Sequence, residues 1–172
     1  MIYSMEGVET ERLLFRKLTM DDFEDWLPFH KEPKSSLHRS GLPKDPSKAC
    51  AEQFERVFER YEEGLGGMFA LVDKITNELI GLCGLLVQIV DFQEELEIGY
   101  SILPKFWGQG YASEAAQRCK ETAFKNGWAD HLVSIIHIDN EPSKKVAIKN
   151  GMHIEKRTEY KNNPVFIFRI DR

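Results

Sequence analysis

The sequence predicts an α/β (α+β) domain, with a mixed, mainly antiparallel central sheet of about six or seven strands, one parallel strand-helix-strand crossover, and helices on both faces. Three observations predict it. Short strand-like segments bounded by turn residues fill much of the chain, with two amphipathic helices before them. A glycine-punctuated loop then opens a long amphipathic helix. The nearly continuous apolar run after that helix reads as a buried strand, which makes the crossover parallel. With 172 residues, and neither internal repeats nor a linker, residues 1–172 read as one domain.

Residues 11–18, ERLLFRKL, read as the first strand. TMDDFEDWLPFH opens a helix, with Thr19 as its N-cap and Phe23, Trp26 and Leu27 on one face. Residues 31–46 are a polar, proline-punctuated connection. A second helix follows Asp45-Pro46, with Cys50, Phe54, Val57, Phe58 and Tyr61 as its buried stripe, and GLGG ends it. Residues 68–72 and 79–90 form a hairpin around DKITNE, and residues 95–102 add a strand. The long helix begins near Tyr111, carries Ala112, Ala115, Ala116, Cys119 and Ala123 at helical spacing, and stops at Asn126-Gly127. A strand over about 131–139, a short helix in NEPSKKVAIKNGM, and a closing hairpin of residues 153–160 and 164–170 around KNNP complete the order.

Composition excludes several classes. Hydrophobic residues at 42% and charged residues at 30% are ordinary for a globular chain. The longest apolar run, residues 79–90, is too short to span a bilayer, and MIYSMEGVETERL has no signal-peptide pattern, so no membrane partner and a cytoplasmic location are expected. Cys50, Cys83 and Cys119 are odd in number and lack metal spacing, so neither a disulfide framework nor a metal site is expected. The net charge of -5 argues against a nucleic-acid partner and is compatible with a cationic substrate.

Two stretches carry chemistry. In FWGQGYASEA, Gly108 and Gly110 precede the long helix. The first turn of a helix has N-H groups without intrahelical partners and the positive end of the macrodipole, so uncovered glycines there admit an anion, most often a phosphate. An ordinary turn is the alternative. In ELEIGYSI, Glu95, Glu97, Gly99 and Ser101 alternate with Leu96, Ile98, Tyr100 and Ile102, giving a central strand a polar face that lines a cleft, or an exposed sheet face.

With TERLLFRKLTMDD, ELIGLCGL, EIGYSILPKFWGQGYASEA and IDNEPSKKVAIKNGM in this order, the chain resembles the GNAT superfamily of acyl-CoA-dependent N-acyltransferases, and within it the RimJ/RimL-like branch. Trp107 through Ala112 match the family phosphate motif [RQ]-x-x-G-x-[GA], with tryptophan in place of arginine or glutamine. The resemblance implies acetyl-CoA as cosubstrate, its pyrophosphate held by Gly108, Gln109, Gly110, Tyr111, Ala112 and Ser113. It also implies Tyr100, Ile102 and Asn140 along the pantetheine arm. Asn140 and Ser143 also suit helix capping. A P-loop fails because no G-K-[ST] follows the glycines, and a Rossmann site fails because antiparallel strands precede them.

The implied reaction is attack of an amine on a thioester. A lysine-like amine, pKa ~10.4, is neutral about one part in a thousand at pH 7, a cost of ~4 kcal/mol, and an α-amine at ~8 needs about 1 to 2 kcal/mol. A carboxylate, direct or through water, is the natural base. Glu97 is the first choice and Glu159 the second. Backbone N-H near Tyr100 is the implied partner of the thioester oxygen. Ser143 is the candidate proton donor to sulfur, because the family's usual tyrosine position holds Ala147. A protein N-terminal α-amine, a polyamine and an aminoglycoside-like amine all remain open as acceptor, and a homodimer is open too. A non-catalytic acyl-CoA-binding domain is the competing reading.

Overall fold

Short apolar strands can hide both faces only by joining one sheet with helices laid on each side. A computed structural model describes residues 2–172. Seven strands, β1 (Leu13–Arg16), β2 (Gly66–Asp73), β3 (Leu79–Val90), β4 (Gln93–Ile102), β5 (His131–His137), β6 (His153–Tyr160) and β7 (Asn163–Asp171), form one sheet in the order β1-β2-β3-β4-β5-β7-β6. Every neighbouring pair is antiparallel except β4 and β5, which are parallel across the predicted crossover.

The four helices are α1 (Phe23–Lys31), α2 (Pro46–Glu63), α3 (Tyr111–Lys125) and α4 (Glu141–Lys149). Because strand side chains alternate, Ala70 and Val72 of β2 meet α1 and α2 through Trp26, Leu27, Cys50, Phe54 and Val57, while Phe69 and Leu71 look to the other face. On that other face the small residues Ala115, Ala116, Cys119 and Ala123 let α3 lie close against Cys83, Leu85 and Ile98. α4 lies beside α3, its Ala147 packed with Ile136 and Phe168, and Asn150 Nδ2 donates to the Ala116 carbonyl at 3.3 Å.

Two local differences from the sequence reading have physical causes. Thr19 does not open α1 directly: a 3-10 turn, Met20–Asp22, intervenes, and the Thr19 N-H donates to Asp22 Oδ2 at 2.9 Å. β4 begins at Gln93, before the expected residue 95, because Asp91 and Phe92 make a two-residue hairpin turn at φ 47° and 66°. Such turns favour glycine or asparagine, and neither marks this one.

β4 and β5 share a single register pair, Glu97 with Val133. Ser134 Oγ donates to the Ile98 carbonyl at 2.9 Å, and beyond it the two strands part. β4 itself pairs with β3 without a register shift. Among the described residues no helix is long and apolar enough to cross a membrane, and no group of His, Cys, Asp and Glu is placed to hold a metal ion.

Candidate active site

The splay between β4 and β5 exposes one edge of β4. Leu103 N-H donates to the Ile80 carbonyl, so in the alternating antiparallel ladder residues 99 and 101 exchange bonds with β3. Residues 98, 100 and 102 therefore direct their N-H and C=O groups toward the splay. The Ile98 carbonyl is taken by Ser134, and the Ile102 carbonyl accepts Trp107 Nε1-H at 2.7 Å. The Tyr100 N-H faces the opening. This indole bond explains how tryptophan stands at the variant motif position: it ties the end of β4 to the loop that follows.

That loop is an anion cradle by geometry. Gly108 and Gly110 adopt φ 74° and 82°, which L side chains rarely tolerate, and a Cβ on Gly108 would meet nothing within 4 Å. The N-H groups of residues 108 to 113 have no backbone acceptor among the described residues, so Gly108, Gln109, Gly110, Tyr111, Ala112 and Ser113 present their donors at the start of α3. These residues fit a pyrophosphate.

A residue that the sequence reading passed over braces the cradle. Arg12, just before β1, places its guanidinium 4.0 Å from the Tyr111 ring centroid, donates Nη2-H to the Gln109 carbonyl at 3.0 Å, and donates Nε-H to Glu114 Oε1 at 2.8 Å. The Arg12 N-H and Thr10 hydroxyl hold the other Glu114 oxygen at 3.1 and 2.5 Å. Burial opposes ionisation of Glu114, but these bonds outweigh it and lower its pKa. These bonds neutralise the carboxylate in the first turn of α3 and fix it to the segment before β1. Arg12 is visible in TERLLFRKL, yet nothing local indicates a partner about a hundred residues along.

Asn140 caps α4, its Oδ1 accepting the Ser143 N-H at 3.3 Å, as its type allows. Ser143 is half-buried in the first turn, and its carbonyl accepts the Tyr100 hydroxyl at 2.8 Å. The Tyr100 side chain thus bridges β4 and α4 across the splay, and burial raises its pKa, keeping the phenol protonated.

On the α1/α2 side of β4, Glu97 and Ser101 share the polar face. Ser101 is buried and Glu97 is half-buried, so this face is sheltered and is not an open sheet surface. Glu97 Oε1 accepts Gln88 Nε2-H at 3.0 Å, and Oε2 accepts the Ile135 N-H at 3.3 Å, joining β3, β4 and β5. Gln88 Oε1 in turn accepts Arg60 Nη2-H at 3.0 Å and the Tyr160 hydroxyl at 2.7 Å. Desolvation raises the Glu97 pKa, offset in part by Gln88, Ile135 and the charges of Arg60 and Lys161. Glu159 is not brought here. It is exposed, and alternation along β6 turns it away from the face on which Tyr160 reaches Gln88. Glu95 lies at the far end of β4, paired with His131 at 2.5 Å, and His137 stacks on His38 with ring centroids 4.9 Å apart.

The sequence profile of the acetyltransferase (GNAT) domain matches residues 12–153. The chain is 35% identical over 138 residues to the Bacillus subtilis (strain 168) protein YkkB, covering 80% of this chain and 78% of that protein. A crystal structure of an acetyltransferase from Agrobacterium tumefaciens str. C58 is 25% identical, covers 100% of this chain and 98% of its own, and superposes with a TM-score of 0.82. At 18% identity, a RimL ribosomal L7/L12 alpha-N-protein acetyltransferase in complex with coenzyme A shares the fold with a TM-score of 0.73, covering 94% of this chain and 95% of its own. The cradle before α3, the splayed β4 and β5, and the matched profile lead to one conclusion: the chain belongs to the GNAT acetyltransferase family.

Proposed function

We propose that this acetyltransferase moves the acetyl group of acetyl-CoA to a primary amine by direct attack of the amine on the thioester. The observation that carries the reading is the layout of β4. Its free edge offers the Tyr100 N-H, its end feeds a loop of unpaired N-H donors, and its sheltered face holds Glu97.

In this reading residues 108 to 113 hold the pyrophosphate, the backbone edge at Tyr100 and Ile102 together with Asn140 holds the pantetheine arm, and the Tyr100 N-H stabilises charge on the thioester oxygen. Glu97 accepts the ammonium proton, directly or through water, and its raised pKa brings it nearer the operating pH of a general base. Ser143 assists departure of the thiolate. The Tyr100 hydroxyl, held protonated by burial, is a second donor candidate, on turning its proton from the Ser143 carbonyl to the sulfur.

The acceptor is an α-amine of a protein or a small-molecule amine, and the RimL likeness in fold supports placing the chain in the RimJ/RimL-like branch. Cytoplasmic location belongs to the same proposal. The test is release of free thiol from acetyl-CoA across a panel of amines, run beside a calorimetric titration of acetyl-CoA. Amine-dependent thiol release is expected. Binding without release under every amine would instead favour an acyl-CoA-binding domain.

A further inference from the structure

The protein carries a net charge of -5, and nine of its 23 Lys and Arg side chains lie in ion pairs with carboxylates among the described residues. Four of the others gather on the side of the sheet where Glu97 lies. Arg39, Arg56, Arg60 and Lys161 pair with no carboxylate among the ion pairs of the described residues; Arg39, Arg60 and Lys161 lie close enough to Glu97 to feel its charge, and Arg56 lies close to Arg39 and Lys161.

Their placement comes from three parts of the fold. Arg56 and Arg60 stand one turn apart on α2 and so share a face. Arg60 is spent on structure, donating to the carbonyls of Leu65 and Val87 at 3.1 and 2.9 Å and to Gln88. Arg39 comes from the connection between α1 and α2, with one bond to Ser101 Oγ at 3.4 Å and its guanidinium 5.6 Å from the Phe29 ring centroid. Most of its five N-H donors are uncommitted. Lys161 sits in the β6-β7 turn, its Nζ 5.2 Å from the Tyr160 ring centroid. Ser40 Oγ donates to Asn163 Oδ1 at 3.1 Å, which fastens the Arg39 segment to the Lys161 turn.

Arg39 and Lys161 are exposed side chains, and partial desolvation, with repulsion from Arg56 and, at Lys161, from Arg60, lowers the pKa of both. An anion between them relieves both costs. Building on the amine-acetylation reading, we propose that the acceptor carries a carboxylate or phosphate close to its amine, bound by Arg39 and Lys161, with the amine directed at Glu97. The same positive field favours the neutral, nucleophilic form of the bound amine. The cationic substrate that net charge alone suggests is thus reversed locally.

The test compares pairs of related amines that differ in charge: O-phosphoethanolamine with ethanolamine, methionine with methioninamide, and Ser-Glu-Glu amide with Ser-Gln-Gln amide. The first two pairs represent small acceptors and the third a peptide. The expected result is a kcat/KM roughly tenfold or more higher for the anionic member of at least one pair, weakening as salt is added. In the Arg39→Gln/Lys161→Gln double variant that ratio falls to about one, and Lys161→Glu shifts it toward the neutral member. Because the readout is a ratio within one protein, partial loss of folded enzyme does not mimic it. Acetylation that prefers neutral or cationic amines in all three pairs, or a preference that survives the double substitution, overturns the proposal and leaves amine acetylation standing. Absence of turnover with every amine, despite acetyl-CoA binding, removes the acetylation reading and this proposal with it.

Discussion

Glu97→Gln keeps the side chain's length and removes the carboxylate at the splay. In the native protein Oε1 accepts from Gln88 and Oε2 from Ile135. An amide has only one acceptor oxygen, so one of those N-H groups loses its partner, which costs about 1 to 3 kcal/mol if it stays buried. For a domain of this size that lowers Tm by roughly 2 to 4 °C per kcal/mol. The loss of rate is a separate effect. A positioned base contributes about 10²- to 10⁴-fold, so kcat should fall by that factor near neutral pH while the affinity for acetyl-CoA changes by less than about threefold. Raising the pH should recover part of the rate, because the amine then deprotonates without help. The variant also changes the pH dependence of stability. The folded pKa of Glu97 lies above the ordinary 4.5, so its contribution is fully present below that value and is lost as pH rises through the folded pKa. The Gln variant should lack this decline. Initial rates of thiol release across the neutral and alkaline range, with thermal melts from about pH 4 upward, separate the two effects. A neutral-pH rate and pH profile equal to wild type would refute the assignment. Glu159→Gln, on the opposite face of the sheet, is the control and should leave the rate within about twofold.

Gly110→Asp places a side chain and a negative charge in the cradle at φ 82° and should abolish acetyl-CoA binding by titration while the far-UV spectrum stays native; normal binding would displace the phosphate assignment. Arg12→Ala frees the Gln109 carbonyl and leaves the Glu114 charge near the helix start without its guanidinium partner, so the KM for acetyl-CoA should rise by roughly tenfold with kcat little changed, whereas an unaltered KM would reduce Arg12 to surface packing. Ser143→Ala should slow transfer by roughly 10²-fold if the hydroxyl serves the thiolate. Because the cap at α4 is Asn140, Ser143→Ala should leave Tm nearly unchanged, and full activity would pass the proton-donor role to Tyr100 or water.

What the sequence made legible was local. Gly108 and Gly110 signal left-handed backbone before a helix, and the structure has both there. Alternation in ELEIGYSI put Glu97 and Ser101 on one face of the strand, and an unbroken ladder with β3 preserved that facing. Long-range pairing was not legible. Arg12 meets Gln109 and Glu114 only because β1 and α3 converge in space, and Arg60 and Tyr160 meet at Gln88, which donates to Glu97, from separate elements. Glu159 shows the sharpness of period-two facing: it borders Tyr160 in sequence and faces the other way. The Asp91-Phe92 turn was silent because its left-handed backbone uses residues that do not advertise it.

The most direct measurement of the central claim is a single-turnover experiment with acetyl-CoA labelled at the acetyl carbonyl and an accepted amine in excess. Direct attack predicts that thiol release and labelled acetyl-amine rise together in equal amounts, that no label stays on the protein, and that neither product forms without amine. Label trapped on the protein, or acetyl-CoA bound with no labelled amine formed, would contradict it.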